Sequence, residues 1–165
     1  MITRSEYPRP YLMRDEWLSL NGEWQFAFGE DVDERAALKG RLPKKINVPF
    51  SYQYEASGIG DESFHNVVYY KRAFSLNKSQ LKKCALLCFN GADYKCDVFI
   101  NGSHVKSHTG GFAPFKVDIT RYIKPENEIF VRCEDSLCPE QPRGKQSWQN
   151  KRFGCWYVPN TGIWQ

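Results

Sequence analysis

Nine consecutive residues set the first limit on the fold. Across residues 92–100 Ala92, Tyr94, Cys96, Val98 and Ile100 hold every even position, and Asp93, Lys95 and Asp97 fall between them. A repeat of two belongs to a strand with one buried face and does not fit the 3.6-residue turn of a helix. The rhythm recurs along the chain. Trp24, Phe26 and Phe28 alternate with Glu23, Gln25 and Ala27, and Ile129, Val131 and Cys133 alternate with Glu128, Phe130, Arg132 and Glu134. Residues 67–74 and 85–89 are rich in β-branched and aromatic side chains and read as further strands. Asn21-Gly22, Asn90-Gly91 and Asn101-Gly102 punctuate these segments. Asn-Gly favours type I′ hairpin turns because both residues tolerate positive φ. The one helical signal is short, residues 31–39, with an acidic start and Gly40 to stop it. Seven or eight short strands with glycine-rich turns predict an all-β chain, a mostly antiparallel sandwich or jelly roll.

Composition narrows the class. At 165 residues the chain is one domain of a size that buries a full core without disulfide or metal. Hydrophobic residues make up 41% and charged residues 25%, which excludes a disordered chain. No apolar run is long enough to span a membrane, and the first residues carry no secretory signal pattern. Cys84, Cys88, Cys96, Cys133, Cys138 and Cys155 include no C-x-x-C pair and have no histidines nearby to complete a zinc set. Free thiols in a reducing, cytoplasmic setting are expected, with Cys88, Cys96 and Cys133 as small hydrophobes in apolar stretches. Asn101-Gly102-Ser103 matches a glycosylation sequon but reads better as a hairpin turn.

Catalytic and metal chemistry are not written in the motifs. G-x-S-x-G, Walker A, G-x-G-x-x-G and H-E-x-x-H are all absent. On a regular strand His104 and His108 would share a face but lie about 13 Å apart, too far for one metal ion. Asp93 and Asp97 read as solvated residues on a polar strand face, and no acid stands in an obviously apolar setting. The expectation is no catalytic residue, no metal and no cofactor in this chain. Aromatic residues make up 15% of it, and their placement is informative. Trp24 reads as core. Residues 135–160 show no clean period and combine prolines, Arg143, Lys145, Lys151 and Arg152 with Trp148, Trp156 and Tyr157. Long irregular segments of this kind serve function or touch another domain. A basic-aromatic cluster also suits single-stranded nucleic acid, but this one is small and carries no nucleic-acid motif, so no nucleic-acid partner is expected.

The order of short blocks resembles a known family. Leu20-Asn21-Gly22-Glu23-Trp24-Gln25-Phe26 resembles the opening LNGEW-x-F of glycoside hydrolase family 2. Val48-Pro49, Tyr69-Tyr70-Lys71-Arg72-Ala73-Phe74, Phe89-Asn90-Gly91-Ala92 and Val98-Phe99-Ile100-Asn101-Gly102 follow in the family's order. His108 to Phe115 is similar to H-x-GGY-x-PF. Pro142-Arg143-Gly144-Lys145-Gln146 and Thr161-Gly162-Ile163-Trp164-Gln165 are similar to closing blocks of β-galactosidase-type members.

The resemblance implies a galactose-binding-like jelly-roll β-sandwich, the N-terminal sugar-binding domain of a retaining β-galactosidase, cut at its C-terminal end. An immunoglobulin-like domain and a TIM barrel holding both catalytic glutamates would follow in the parent. The partner is then a β-galactoside, bound together with the missing barrel, and the parent is compatible with a homo-oligomer. Loops 52–66 and 143–160 would reach the barrel mouth. Arg143, Lys145, Gln146, Trp156, Tyr157 and Asn160 would line or support the sugar site. Trp156 would stack, Gln146 and Asn160 would bind hydroxyls, and Arg143 and Lys145 would serve sugar or neighbouring domain. Some β-galactosidases carry an acid just before the GI block; residues 154–160 here have none. A β-glucuronidase, a β-mannosidase and a free-standing carbohydrate-binding module or lectin stay open as alternatives.

Overall fold

The computed structural model describes residues 4–165. In chain order the strands are β1 (Gly22–Phe28), β2 (Lys44–Val48), β3 (Val67–Ser75), β4 (Leu86–Phe89), β5 (Ala92–Asp93), β6 (Lys95–Ile100), β7 (Ser103–Thr109), β8 (Phe115–Asp118), β9 (Glu126–Glu134) and β10 (Gly162–Ile163). One α-helix, α1 (Glu34–Lys39), lies between β1 and β2. Six strands form one antiparallel sheet in the order β2-β1-β3-β9-β6-β7. Two antiparallel ribbons, β4-β8 and β10-β5, lie over it. The fold is the all-β, mostly antiparallel sandwich that the alternation points to, in agreement with the galactose-binding-like architecture that the resemblance implies.

Alternation decides the layers. Trp24, Phe26, Phe28, Val68, Tyr70, Cys96, Val98, Ile100, Ile129, Val131 and Cys133 turn inward from the large sheet. They meet Leu87, Phe89, Ala92, Ile119, Ile163 and the fully buried Tyr52. The opposite face is also partly covered. Ala27, Tyr69 and Phe130 pack against Ala37 of α1 and Leu42. Burying Phe130 there is worth about 2 kcal/mol by apolar area. The helix is shorter than residues 31–39, because Asp33 caps it by accepting from the N–H groups of Arg35 and Ala36, and Gly40 ends it. Lys71 is buried beneath it. Its ammonium donates to the Leu38 and Gly40 carbonyls and lies 3.5 Å from the Glu128 carboxylate. Cations are favoured where a helix leaves its last carbonyls unpaired.

Four local expectations meet the structure differently. Asn101 and Gly102 have φ of 51° and 79°, as a type I′ turn requires. The Asn101 side chain is engaged too, donating to Tyr122 and accepting from the Glu128 N–H. Asn90-Gly91 is not such a turn. Gly91 is needed for close approach instead: a Cβ there would lie 2.5 Å from the Trp164 indole. His104 and His108 do not share a face. The β6–β7 register slips between Val98 and Phe99, so Lys106 faces Val98 while His104 faces Phe99. The extra residue turns His108 inward, stacked on Phe115 at 4.2 Å, and leaves His104 outward beside Phe99 and Asp97. Cys96 and Cys133 are buried as small hydrophobes, but Cys88 is exposed, because it lies on the outer side of a narrow ribbon.

All six cysteines are free thiols. Among the described residues no helix is long and apolar enough to cross a membrane. The exposed Cys84, Cys88, Cys138 and Cys155 are expected to react with a thiol reagent in the native protein, and Cys96 and Cys133 only after unfolding. Intact-mass counting of adducts with and without denaturant checks this; early labelling of Cys96 or Cys133 would contradict the packing described.

Candidate functional site

Antiparallel pairing collects the irregular segments at one edge of the large sheet. Val67, the first residue of β3, pairs with Glu134, the last of β9. Glu134 also pairs with Lys95 at the start of β6, and Lys95 with Thr109 at the end of β7. Phe28, the last residue of β1, pairs with Val68. The segments that end or begin there therefore meet: the loop leading into β3, Asp93, the turn after Thr109, and residues 135–161. The two loops singled out by sequence, 52–66 and 143–160, are among them. Gln53 bridges them by donating to the Pro159 carbonyl at 2.6 Å.

Two buried carboxylates hold the long segment in place. Asp135 donates its N–H to the Asn66 carbonyl and accepts from the two terminal guanidinium nitrogens of Arg143, each at 3.3 Å. Gln141 also donates to Asp135, and Arg143 to the Ser136 carbonyl. Asp93 is only 3% exposed, contrary to its reading as a solvated strand residue. β5 ends at Asp93, so its side chain does not follow the alternation of β6. Its carboxylate accepts from the Gln146 side-chain Nε2 at 2.7 Å, and the Gln146 side-chain Oε1 accepts from the Asn160 backbone N–H at 2.6 Å. The Gly111 backbone lies against the same carboxylate, where a Cβ would fall 2.4 Å from an oxygen. Burial pushes Asp93 up to about 6, reinforced by Asp135 and opposed by the Gln146 hydrogen bond and the Arg143 charge. Burial raises Asp135 also, against the pull of Arg143.

On this base the segment folds back on itself. The Tyr157 N–H donates to the Lys145 carbonyl at 2.9 Å and the Ser147 N–H to the Tyr157 carbonyl at 2.8 Å. Trp148 meets Trp156 edge to face at 4.9 Å and Phe153 at 6.0 Å. Trp156 thereby becomes a wall shared by two clefts. One, of about 340 Å³, is lined by Tyr54, Glu62, Arg152, Trp156 and Tyr157 among others. The other, of about 350 Å³, is lined by Gln141, Arg143, Gln146, Trp148 and Trp156 among others.

The six residues expected at a sugar site are thus distributed unevenly. Trp156 lines both clefts, Tyr157 one, and Arg143 and Gln146 the other. Arg143 and Gln146 are buried, and their polar groups contact Asp135 and Asp93. Lys145 is exposed, with its ammonium 5.5 Å from the Tyr157 ring centre. Asn160 is half-buried, and its side-chain oxygen has no partner. Sequence reasoning missed Asp93, Asp135, Tyr54 and Glu62. Nothing in their spacing marks them, since burial of Asp93 and Asp135 depends on partners about 50 residues and 8 residues away.

Residues 44–162 match the family described as glycosyl hydrolase 2 galactose-binding domain-like. The chain belongs to that family. It is 25% identical over 142 residues to a putative β-glucuronidase of Formosa agariphila, covering 85% of this chain and 17% of the relative. It is 30% identical over 112 residues to a β-galactosidase of Thermoanaerobacter pseudethanolicus, covering 68% of this chain and 14% of the relative. The solved β-glucuronidase of Faecalibacterium prausnitzii superposes with a TM-score of 0.63 at 27% identity, covering 76% of this chain and 23% of that one. The family 2 domain therefore spans less than a quarter of each of these relatives.

Asp93 generates a pH signature. Unfolded, it titrates near 3.8; folded, near 6. Between those values the folded state holds the extra proton, so stability falls as pH rises from about 4 to 6 and is level above. A rise of this size corresponds to about 3 kcal/mol. Asp93→Asn is expected to flatten the melting temperature across that window and to raise stability at neutral pH, leaving a shallower slope from Asp135. Thermal melts of both proteins from acid to neutral pH measure this, and identical slopes would remove the buried carboxylate from the account.

Proposed function

We propose that this family 2 domain forms a saccharide-facing wall of a retaining β-glycosidase that acts on a terminal β-galactoside or β-glucuronide. The observation that carries the reading is the gathering of aromatic side chains from two loops, Tyr54 from one and Trp148, Trp156 and Tyr157 from the other, at one edge of a sandwich that belongs to this family. Both activities appear in the names of relatives that the chain resembles over most of its length. In the parent, an immunoglobulin-like domain and a TIM barrel would follow, and the barrel would hold the acid/base and nucleophile. Retaining hydrolysis needs two carboxyl groups about 5–5.5 Å apart across the scissile bond. The two buried acids at this edge, Asp93 and Asp135, are instead tied to Gln146 and Arg143.

In this reading Trp156 and Tyr157 offer faces to sugar rings, and Lys145 and Asn160 flank them. Gln146 and Arg143 keep the segment at the right height against the sheet. The free thiols favour a reducing, cytoplasmic setting. The purified 165-residue chain is expected to leave aryl β-galactosides and aryl β-glucuronides intact, whereas the parent enzyme cleaves at least one of them. Trp156→Ala with Tyr157→Ala in the parent should lower kcat/KM about ten-fold, a loss of about 1.4 kcal/mol at the transition state. Release of aryl alcohol by the chain alone, or full activity of the doubly substituted parent, would overturn the proposal.

A further inference from the structure

Two cysteines face each other inside the sandwich. Cys96 is the second residue of β6 and Cys133 the next-to-last of β9, and the antiparallel register makes them direct partners. Both turn inward from the large sheet and are 1% and 0% exposed. The ladder fixes what kind of pair they form. The Asn101 N–H donates to the Glu128 carbonyl at 2.9 Å, which marks a hydrogen-bonded position one step past the end of β6. From Ile100 and Ile129 back to Lys95 and Glu134 the register runs without a shift. Hydrogen-bonded and non-hydrogen-bonded pairs alternate along an antiparallel ladder. Cys96 and Cys133 lie five steps from Asn101 and Glu128, so theirs is a non-hydrogen-bonded pair. Such pairs hold their Cα atoms about 4.5 Å apart and bring the side chains closest together. A disulfide spans Cα separations of about 4.4–6.8 Å.

The strands therefore need not move for these sulfurs to join. The side chains are in contact: Cys133 is hydrogen-bonded to Cys96, and that contact, with burial, holds its thiol well above the usual range. A thiol held in this way does not attack in the folded protein, so the chemistry belongs to the moment before the sheet closes over the pair. The other four cysteines are exposed, and none is the strand partner of another cysteine. We propose that Cys96 and Cys133 are a disulfide site, closed to a cross-strand bond when the chain folds in the presence of a small oxidised thiol, glutathione disulfide. One protein thiolate attacks glutathione disulfide, forming a mixed disulfide and releasing the first glutathione. The second protein thiolate attacks the protein sulfur of that mixed disulfide and releases the second glutathione. The protein loses two electrons, glutathione disulfide gains them, and the two thiol protons end on the two glutathiones. The bond lies one pair in from Lys95 and Glu134, beside the edge where Asp93 precedes β6 and Asp135 follows β9. It staples the sheet where the candidate site is anchored. Under reducing conditions the pair stays two buried free thiols.

The test removes the competing thiols first. Iodoacetamide blocks Cys84, Cys88, Cys138 and Cys155 in the native chain, which is then unfolded and refolded with glutathione disulfide in excess over glutathione. A second preparation carries Cys84→Ser, Cys88→Ser, Cys138→Ser and Cys155→Ser, all at exposed positions. The expected product is folded, two hydrogens lighter than the reduced chain and free of attached glutathione. Trypsin digestion should yield one cross-linked species joining the peptides that hold Cys96 and Cys133. Closing residues 96–133 into a loop should raise Tm by about 8 °C over the same protein refolded with dithiothreitol. Cys96→Val should abolish both the mass change and the dependence of Tm on redox conditions. Folded protein with both thiols free, or with glutathione attached, overturns the proposal. So does a bond that forms with Tm unchanged or lowered, because it then strains the register instead of fitting it. A chain that refolds with dithiothreitol but not with glutathione disulfide overturns it too. Cell-free synthesis of the unmodified chain with glutathione disulfide puts the same question without a refolding step, and absence of the cross-linked peptide there also overturns the proposal.

Discussion

The nine-residue antiparallel register of β3 with β9 is the constraint on which the rest of the molecule depends. It runs through the middle of the large sheet and buries side chains on both of its faces. Antiparallel pairing places the beginning of one strand beside the end of its neighbour. A loop entering β3 and a loop leaving β9 must therefore share an edge, whatever their own sequences prefer. That is why residues 52–66 and 135–161, far apart in the chain, meet through Gln53 and Pro159. The candidate site is a consequence of strand order before it is a consequence of any particular side chain.

Buried polar groups then give the long segment its shape. A carboxylate out of water costs several kcal/mol unless partners satisfy it. Asp135 meets that cost with Arg143 and Gln141, and Asp93 with Gln146. Each contact ties the segment to the edge of the sandwich at a different point, and the short pairing of β10 with β5 closes its far end. A stretch without regular structure is thereby held firmly enough to present Trp156 and Tyr157 outward. The aromatic display and the buried ionic base are two sides of one arrangement. Residues that read as sugar ligands by type, Arg143 and Gln146, are engaged on the inner side of it.

Much of the sandwich was legible because burial on one face writes a period of two into the sequence. Residues 96, 98 and 100 turn inward as the alternation of β6 requires, and Trp24 is core. Asn101-Gly102 was legible because a type I′ turn is a local demand on φ. The misreadings share a cause. Spacing puts the two histidines of β7 on one face because it does not show the bulge. Asn90-Gly91 has the local signature of a turn, but the missing side chain of Gly91 serves Trp164, more than 70 positions later. Asp93 looked solvated because its neighbours at 95 and 97 belong to a different strand. β2 and β8 gave little signal because short strands borrow their stability from pairing partners.

By itself, the order of residues determined an antiparallel β-sandwich, its main hairpin, and an irregular aromatic and basic segment late in the chain. Those properties follow from side-chain period, backbone φ and composition, all of which act over a few residues. Only the tertiary structure decided that Trp156 stands between two clefts, that Arg143 and Gln146 face buried acids, and that Arg152 meets Glu62 across the edge of one cleft. Those are contacts between distant segments. They exist because the strand register brings the segments together, and no local preference encodes that register.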